Sequence, residues 1–259
     1  MMSNNGINFT PLWNNGPVPG NFYNFPQNQV KSNSIDDFGV QRNSGPITTG
    51  TSIVAVRYDK GVIIAGDKLV SYGNLARYHN VDRVFKINEY ITLGMSGDYA
   101  DFQFIKQYID ENILADFSMD DKITLKPKDL FTWLTRILYN RRSRFNPLWL
   151  DMVVGGMQTE SEPFLGHINV RGRAYTNDVI STGYGTHLAL PLLREYSEKG
   201  PLDEAKALEL VKTCMEVLYY RDCRGYPKYS QANINDKGCT VTDQLVKENW
   251  DLALSIKGY

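Results

Sequence analysis

The chain has 259 residues, 42% of them hydrophobic and 22% charged, with a formal net charge of -1. This composition suits a globular fold with a sizeable core. The balance of charge excludes an overall field directed at nucleic acid or an anionic membrane. No apolar run reaches the roughly 20 residues of a membrane span, and the N-terminus lacks the basic and apolar blocks of a signal peptide.

Residues 1–46 are rich in Asn, Gly, Pro and Ser, with Trp13, Phe22, Tyr23 and Phe25 scattered among them. They carry neither a helical nor a strand period and read as an extended or disordered leader. From Thr51 the pattern becomes regular. Ser52 to Tyr58 is a β-branched strand, Asp59-Lys60-Gly61 its turn, and Val62 to Ala65 the returning strand. Segments 84–88 and 91–95 form a second hairpin. Ser96-Gly97-Asp98 leads into a helix to about residue 115, with Phe102, Ile105, Ile109 and Ile113 on one face. Asp129 is placed as the cap of a second helix, with Leu130, Leu134, Ile137 and Leu138 facing inward. Segments 151–157, 163–170 and 173–181 read as strands. Helices follow near 186–198 and 202–220, the latter with a stripe of Leu208, Val211, Met215 and Leu218. Short strands fit 229–235 and 239–242.

Runs of strands, two helices, strands, two helices and strands argue for layers, not alternating βαβ units. We expect an α+β fold in which two antiparallel sheets face each other and a helix pair covers each outer face. No internal repeat interrupts residues 47–259, which read as one domain.

Cys214, Cys223 and Cys239 are odd in number and lack metal-ligand spacing, which suits a reducing compartment. His79, His167 and His187 share no ligand spacing, so no metal or cofactor is called for. Gly183-Tyr184-Gly185 lacks the Lys and the longer glycine pattern of a phosphate loop. Arg141 and Arg142, with Lys126 and Lys128, form no convincing nucleic-acid patch and read as a solvated or interface-facing helix end.

The segment from Ile47 to Asp67 carries the most information. A Gly50-Thr51 step precedes an apolar hairpin that ends in Asp67, which is how a self-cleaving N-terminal-nucleophile hydrolase begins. In such enzymes scission frees a threonine whose own amine acts as base for its hydroxyl. Taken with Ser71-Tyr72-Gly73, Met95 to Phe102, Arg141-Arg142-Ser143, Asn146-Pro147-Leu148-Trp149, Thr182-Gly183-Tyr184-Gly185, Pro191 to Arg194 and Leu218 to Asp222, the chain resembles the β-type subunits of the 20S proteasome from about residue 42 onward. Within that family the segments are similar to the non-catalytic class at the seventh β position. The resemblance implies a four-layer αββα sandwich of the N-terminal-nucleophile hydrolase type, no cofactor, and cytoplasmic and nuclear localisation. It also implies an obligate hetero-oligomer whose partners are neighbouring β subunits, the α ring and the opposite β ring, with no nucleic acid and no membrane.

The resemblance further implies a helper lysine beside the nucleophile, held by an aspartate, and a Ser, Asp, Ser cluster around the amine. Counted from Thr51, the aspartate is kept as Asp67, but the helper position holds Arg83. The first serine position holds Tyr184, the aspartate is kept as Asp222, and the last serine position holds Gly225. A freed α-amine titrates at about 7.7–8.0 and can serve as base, whereas arginine stays protonated above about 12 and cannot relay a proton. Tyr184 and Gly225 remove two hydroxyls from the amine's surroundings. Scission at Gly50-Thr51 uses the same threonine hydroxyl and is therefore expected to fail, leaving Thr51 acylated. Asp67 and Arg83 are expected to form a buried structural ion pair, and Asp222 to act locally at a helix end. Trimming of the leader by an active neighbour is placed near Arg42-Asn43. Trp250 to Ala253 is similar to a last strand or docking tail. The rival readings are an active threonine protease with Thr51 as nucleophile, a free-standing hydrolase of small amides, and a binding module.

Overall fold

The computed structural model describes residues 45–119 and 124–251. The trimming site at Arg42-Asn43, all of the leader but Gly45 and Pro46, and residues 252–259 lie outside them. Four layers are stacked: two helices, an eight-stranded sheet, a five-stranded sheet, and two more helices.

Strands β1 (Thr48–Gly50), β2 (Ile53–Tyr58) and β3 (Gly61–Asp67) open the chain. They are followed by β4 (Val70–Tyr72), β5 (Leu75–Tyr78), β6 (Val84–Asn88) and β7 (Ile91–Asp98). Helices α1 (Tyr99–Met119) and α2 (Pro127–Ser143) come next. Strands β8 (Leu150–Thr159), β9 (Glu162–Ile168), β10 (Ala174–Thr176) and β11 (Val179–Ser181) lead to helices α3 (Gly185–Glu198) and α4 (Glu204–Arg221). Strands β12 (Lys228–Asn235) and β13 (Gly238–Leu245) complete the second sheet. The larger sheet runs β10-β9-β8-β7-β1-β4-β5, with β6 also on β7; the smaller runs β11-β2-β3-β12-β13.

The period-2 pattern of the hairpin explains the layering. In β2, Ile53 and Ala55 face the opposite sheet, where they meet Val84, Val153, Met157 and Leu165. Val54, Val56 and Tyr58 face the other way, onto α3 and α4, and pack with Leu193, Val211, Met215 and Leu218. Each such side chain contributes about 1.5–3 kcal/mol by leaving water. The helical stripe Phe102, Ile105 and Ile109 of α1 packs with Leu130, Leu134 and Leu138 of α2 on the outer face of the larger sheet.

Two expectations need correction. The segment 173–181 is two strands, not one: β10 pairs with β9 in the larger sheet, while β11 pairs with β2 in the smaller. Asn177 and Asp178 thus carry the chain from one sheet to the other. Asp129 is not the cap of α2. Lys126 holds that position, and Asp129, at the third helical residue, accepts a hydrogen bond back from the Lys126 amide at 3.3 Å. Of the stretch Trp250 to Ala253, Trp250 and Asp251 are described; Trp250 is in no strand, which leaves the docking-tail reading, and its ring meets Tyr219 and Tyr220 with centroids 6.0 and 5.1 Å away. Strands β1, β4 and β5 are additions to the predicted set.

Candidate functional site

The site begins where β1 ends. Thr49 and Gly50 pair with Asp98 and Gly97 of β7 on one side, and with Ser71 and Val70 of β4 on the other. The strand β6 pairs with Ile91, Thr92, Leu93 and Gly94 of β7, one stretch earlier on that strand. Arg83, the residue just before β6, therefore falls between β6 and β1, with its carbonyl accepting the Met95 amide at 2.9 Å. From there its side chain runs inward beneath Gly50 and Thr51 and is 3% exposed.

All five N–H groups of the Arg83 guanidinium are used, the full number that arginine offers. Nε donates to the Asp67 carbonyl at 2.9 Å. One terminal nitrogen donates to the carbonyls of Thr51 at 3.1 Å and Met95 at 3.4 Å. The other donates to the Ser52 carbonyl at 3.1 Å and pairs with the Asp67 carboxylate. Burial pushes this group down to about 9, and the Asp222 carboxylate acts against that shift. At neutral pH the guanidinium is charged, and its contact with Asp67 holds it so.

Thr51 is half-buried, and its hydroxyl reaches both Asp67 oxygens at 3.5 Å. The expected trio of Thr51, Asp67 and Arg83 is thus brought together. Arg83 also lies against the Gly50-Thr51 peptide: a Cβ on Gly50 would come 2.5 Å from Arg83 Cδ and 3.0 Å from its terminal nitrogen. Glycine is needed at 50 because the arginine occupies that space.

The other half of the site does not converge. Tyr184 precedes α3, its ring is 57% exposed, and its nearest ring neighbour is His187 at 6.2 Å. Its backbone neighbours carry the local contacts instead. Gly183 (φ 56°) passes Thr51 closely, and the Gly185 amide donates to Ser52 Oγ at 2.8 Å. Asp222 closes α4, is buried, and accepts the Arg224 amide at 3.0 Å, so it acts locally and reaches Arg83 through its charge alone. Gly225 donates its amide to the Asp222 carbonyl at 2.8 Å, and a Cβ there would sit 2.8 Å from the Leu218 carbonyl. A serine therefore has no room at this position as the turn stands.

Residues that the sequence did not single out for the site hold β1 in place. Arg224 donates to Thr49 Oγ1 at 3.1 Å and to Asn74 Oδ1 at 3.4 Å. Asp98 accepts the Ile47 amide at 3.2 Å and the Thr48 hydroxyl at 3.0 Å. Ser96 Oγ donates to Thr182 Oγ1 at 2.8 Å, which in turn accepts the Ile53 amide. The signal for Asp98 was its place at the end of a strand and the start of a helix; nothing in the pattern around Arg224 marked it.

A second buried titratable position lies on β9. His167 is 4.0 Å from Asp151, and its buried Nδ1 has no hydrogen-bond partner. Burial, and after it the Arg173 charge, push its pKa down to about 4, so the imidazole is neutral at physiological pH. Among the described residues no group of three or more His, Cys, Asp or Glu side chains is placed to hold a metal, and no helix is long and apolar enough to cross a membrane.

The layered fold with a threonine at the head of β2's lead-in, backed by a strand-end aspartate, matches a known family. The model of that family, described as proteasome subunit, aligns with residues 47–234. The chain belongs to the proteasome subunit family. Proteasome subunit beta type-4 of Drosophila melanogaster is 47% identical over 268 aligned residues, covering all of both chains. Proteasome subunit beta type-4 of Xenopus laevis is 43% identical over 94% of this chain and 98% of its own. Proteasome subunit beta type-7 of Saccharomyces cerevisiae is 39% identical over 83% of this chain and 85% of its own. As a β-type proteasome subunit, the chain has the αββα sandwich of the N-terminal-nucleophile hydrolases.

Proposed function

We propose that this chain is a non-catalytic β subunit of the 20S proteasome core, filling one fixed place in a β ring. Its neighbours are other β subunits, the α ring and the opposite β ring, and it works in the cytoplasm and nucleus. Its contribution to protein degradation is architectural: it completes the chamber wall and supports joining of the two half-cores.

The observation that carries this reading is the state of Arg83. A base or relay must release a proton near neutral pH. Arg83 is charged there, in contact with Asp67, and has no donor free. It also lies across Gly50 and Thr51, so that the peptide bond a self-processing enzyme would break is packed on a cation that cannot shuttle protons. Around the threonine, Tyr184 faces outward and Gly225 has no space for a hydroxymethyl group. Constellations of this kind act as units, and losing one member costs orders of magnitude in rate. Strand β1, paired on both sides, supports the expectation that the residues before Thr51 stay attached.

One observation favours the rival reading of an active threonine protease: the Thr51 hydroxyl still reaches Asp67. A single experiment separates the two. Intact particles are isolated through this chain, its mature N-terminus is sequenced, and the particles are treated with a threonine-directed electrophile. We expect an N-terminus upstream of Thr51, near Arg42-Asn43, and no label on this chain. A chain that begins at Thr51 and takes the label would establish the rival.

A further inference from the structure

Helix α2 ends in an uncommon way. Phe145 is the one non-glycine residue with positive φ among the described residues, at 55°. Its amide bonds to the Arg142 carbonyl at 3.0 Å, and the Asn146 amide bonds to the Arg141 carbonyl at 3.1 Å. These two bonds define a Schellman cap, in which the left-handed position is ordinarily glycine. A bulky residue there carries conformational strain. The ring gains nothing visible in exchange: it is 78% exposed and stacks on no aromatic residue among those described.

The surroundings of Phe145 are strongly basic. Arg142 and Arg144 flank it, and both are exposed. Arg142 lies over the ring of Tyr139 at 5.6 Å. The β9–β10 turn abuts the same tyrosine through Gly172 and brings exposed Arg171 and Arg173 alongside. None of these four arginines forms an ion pair among the described residues. Attraction to the helix dipole accounts for arginines at the end of α2. It does not account for the two on the turn, and a chain of net charge -1 has no general excess of cations to place there.

We infer that this cap is an assembly contact in which Phe145 is the anchor, seated in an apolar pocket of a neighbouring proteasome subunit whose rim carries carboxylates. The inference rests on the proposed place of this chain in a β ring. Large apolar side chains beside arginines, buried only in the complex, are the usual carriers of interface energy. The strain at Phe145 then has a cause, because the left-handed turn aims the ring away from its own chain.

Strain and docking predict effects of opposite sign for one substitution, which makes the inference testable. Full-length tagged chains are expressed as wild type, Phe145→Gly, Phe145→Ala and Arg142→Glu/Arg144→Glu. Each is assayed for the fraction that enters proteasome particles, by native electrophoresis and sedimentation, and for its melting midpoint before assembly. The glycine variant should melt no lower than wild type yet enter particles with roughly tenfold or greater loss in competition with the untagged chain. The alanine and charge-reversed variants should lose entry similarly. Entry of Phe145→Gly or of Arg142→Glu/Arg144→Glu at the wild-type level overturns the inference and leaves the ring assignment standing. Failure of the wild-type chain itself to enter particles overturns both. Retention of the wild-type chain, but not of Phe145→Gly, on single-stranded RNA, with particle entry unchanged, also overturns it.

Discussion

Two of the buried titratable positions, Arg83 with Asp67 and His167 with Asp151, were built under opposite constraints. Arg83 keeps its charge because four acceptors and a carboxylate surround it at contact distances. His167 is neutral because burial, and after it the Arg173 charge, lower its pKa to about 4, while its Nδ1 has no hydrogen-bond partner. Burial disfavours the ion at both sites, and the starting values decide the outcome: arginine lowered to about 9 is still charged at pH 7, whereas histidine lowered from 6.5 to about 4 is neutral. A charge can therefore be locked into this cleft as a structural strut, which is a different use from the mobile proton that peptide hydrolysis requires.

The largest effect that would break this comparison comes from Arg83→Ala. It strands the buried Asp67 carboxylate and should cost roughly 3–5 kcal/mol, read as a lowered melting midpoint of the full chain. A cost below about 1 kcal/mol would mean that the pair is not the strut described. Next is acidification. The folded pKa of His167, about 4, lies below the unfolded value of about 6.5, so the unfolded chain binds more protons between those limits. Stability is full above pH 6.5 and falls as pH drops toward 4, by about 3 kcal/mol at most. Asp151, whose pKa burial raises, works in the opposite sense at the acid end. Unfolding at pH 7 and pH 4.5 should show this slope in the wild type and a flatter one in His167→Gln.

Arg83→Lys sharpens the comparison further. Three donors replace five, leaving at least two acceptors without partners, at about 1–3 kcal/mol in all. Even so, particles carrying this variant should take no threonine-directed label on this chain, because the Tyr184 phenol faces outward and Gly225 has no side chain, so neither brings a hydroxyl to Thr51. Labelling of the single variant would mean that one side chain alone separates strut from catalyst. The smallest effect belongs to Thr51→Ala. It removes one hydroxyl donor shared between the two Asp67 oxygens at 3.5 Å, and should change stability by about 1 kcal/mol or less and leave peptide hydrolysis by the particle unaltered.

Much of this was readable from the chain. The hairpin from Ile53 to Asp67 announced itself because alternating β-branched residues serve two cores at once, and three of the four helices because their apolar faces repeat at helical spacing. The Asp67–Arg83 pair was expected from the resemblance, which sets an aspartate against the helper position, and a buried charge requires an opposite one beside it. Strand β1 was invisible because Thr-Thr-Gly has no pattern of its own; it exists through partners at residues 70–72 and 97–98. The split of 173–181 was hidden because a change of sheet costs only a kink at Asn177-Asp178. Tyr184 stands where the resemblance implies a serine, and its outward orientation is a property of the turn at Gly183. The crowding at Gly225 depends on a carbonyl of α4 that no local spacing reveals.

Strand β1 has a mechanical consequence. It is three residues long, and it alone joins the β10-β9-β8-β7 half of the larger sheet to the β4-β5 ribbon. On the proposed reading, in which the residues before Thr51 stay attached, this strand rivets the two parts into one continuous plate. Amide exchange at Thr49 and Gly50 should consequently be as slow as in the strands on either side, and a chamber wall built from this plate would have no seam beside Thr51.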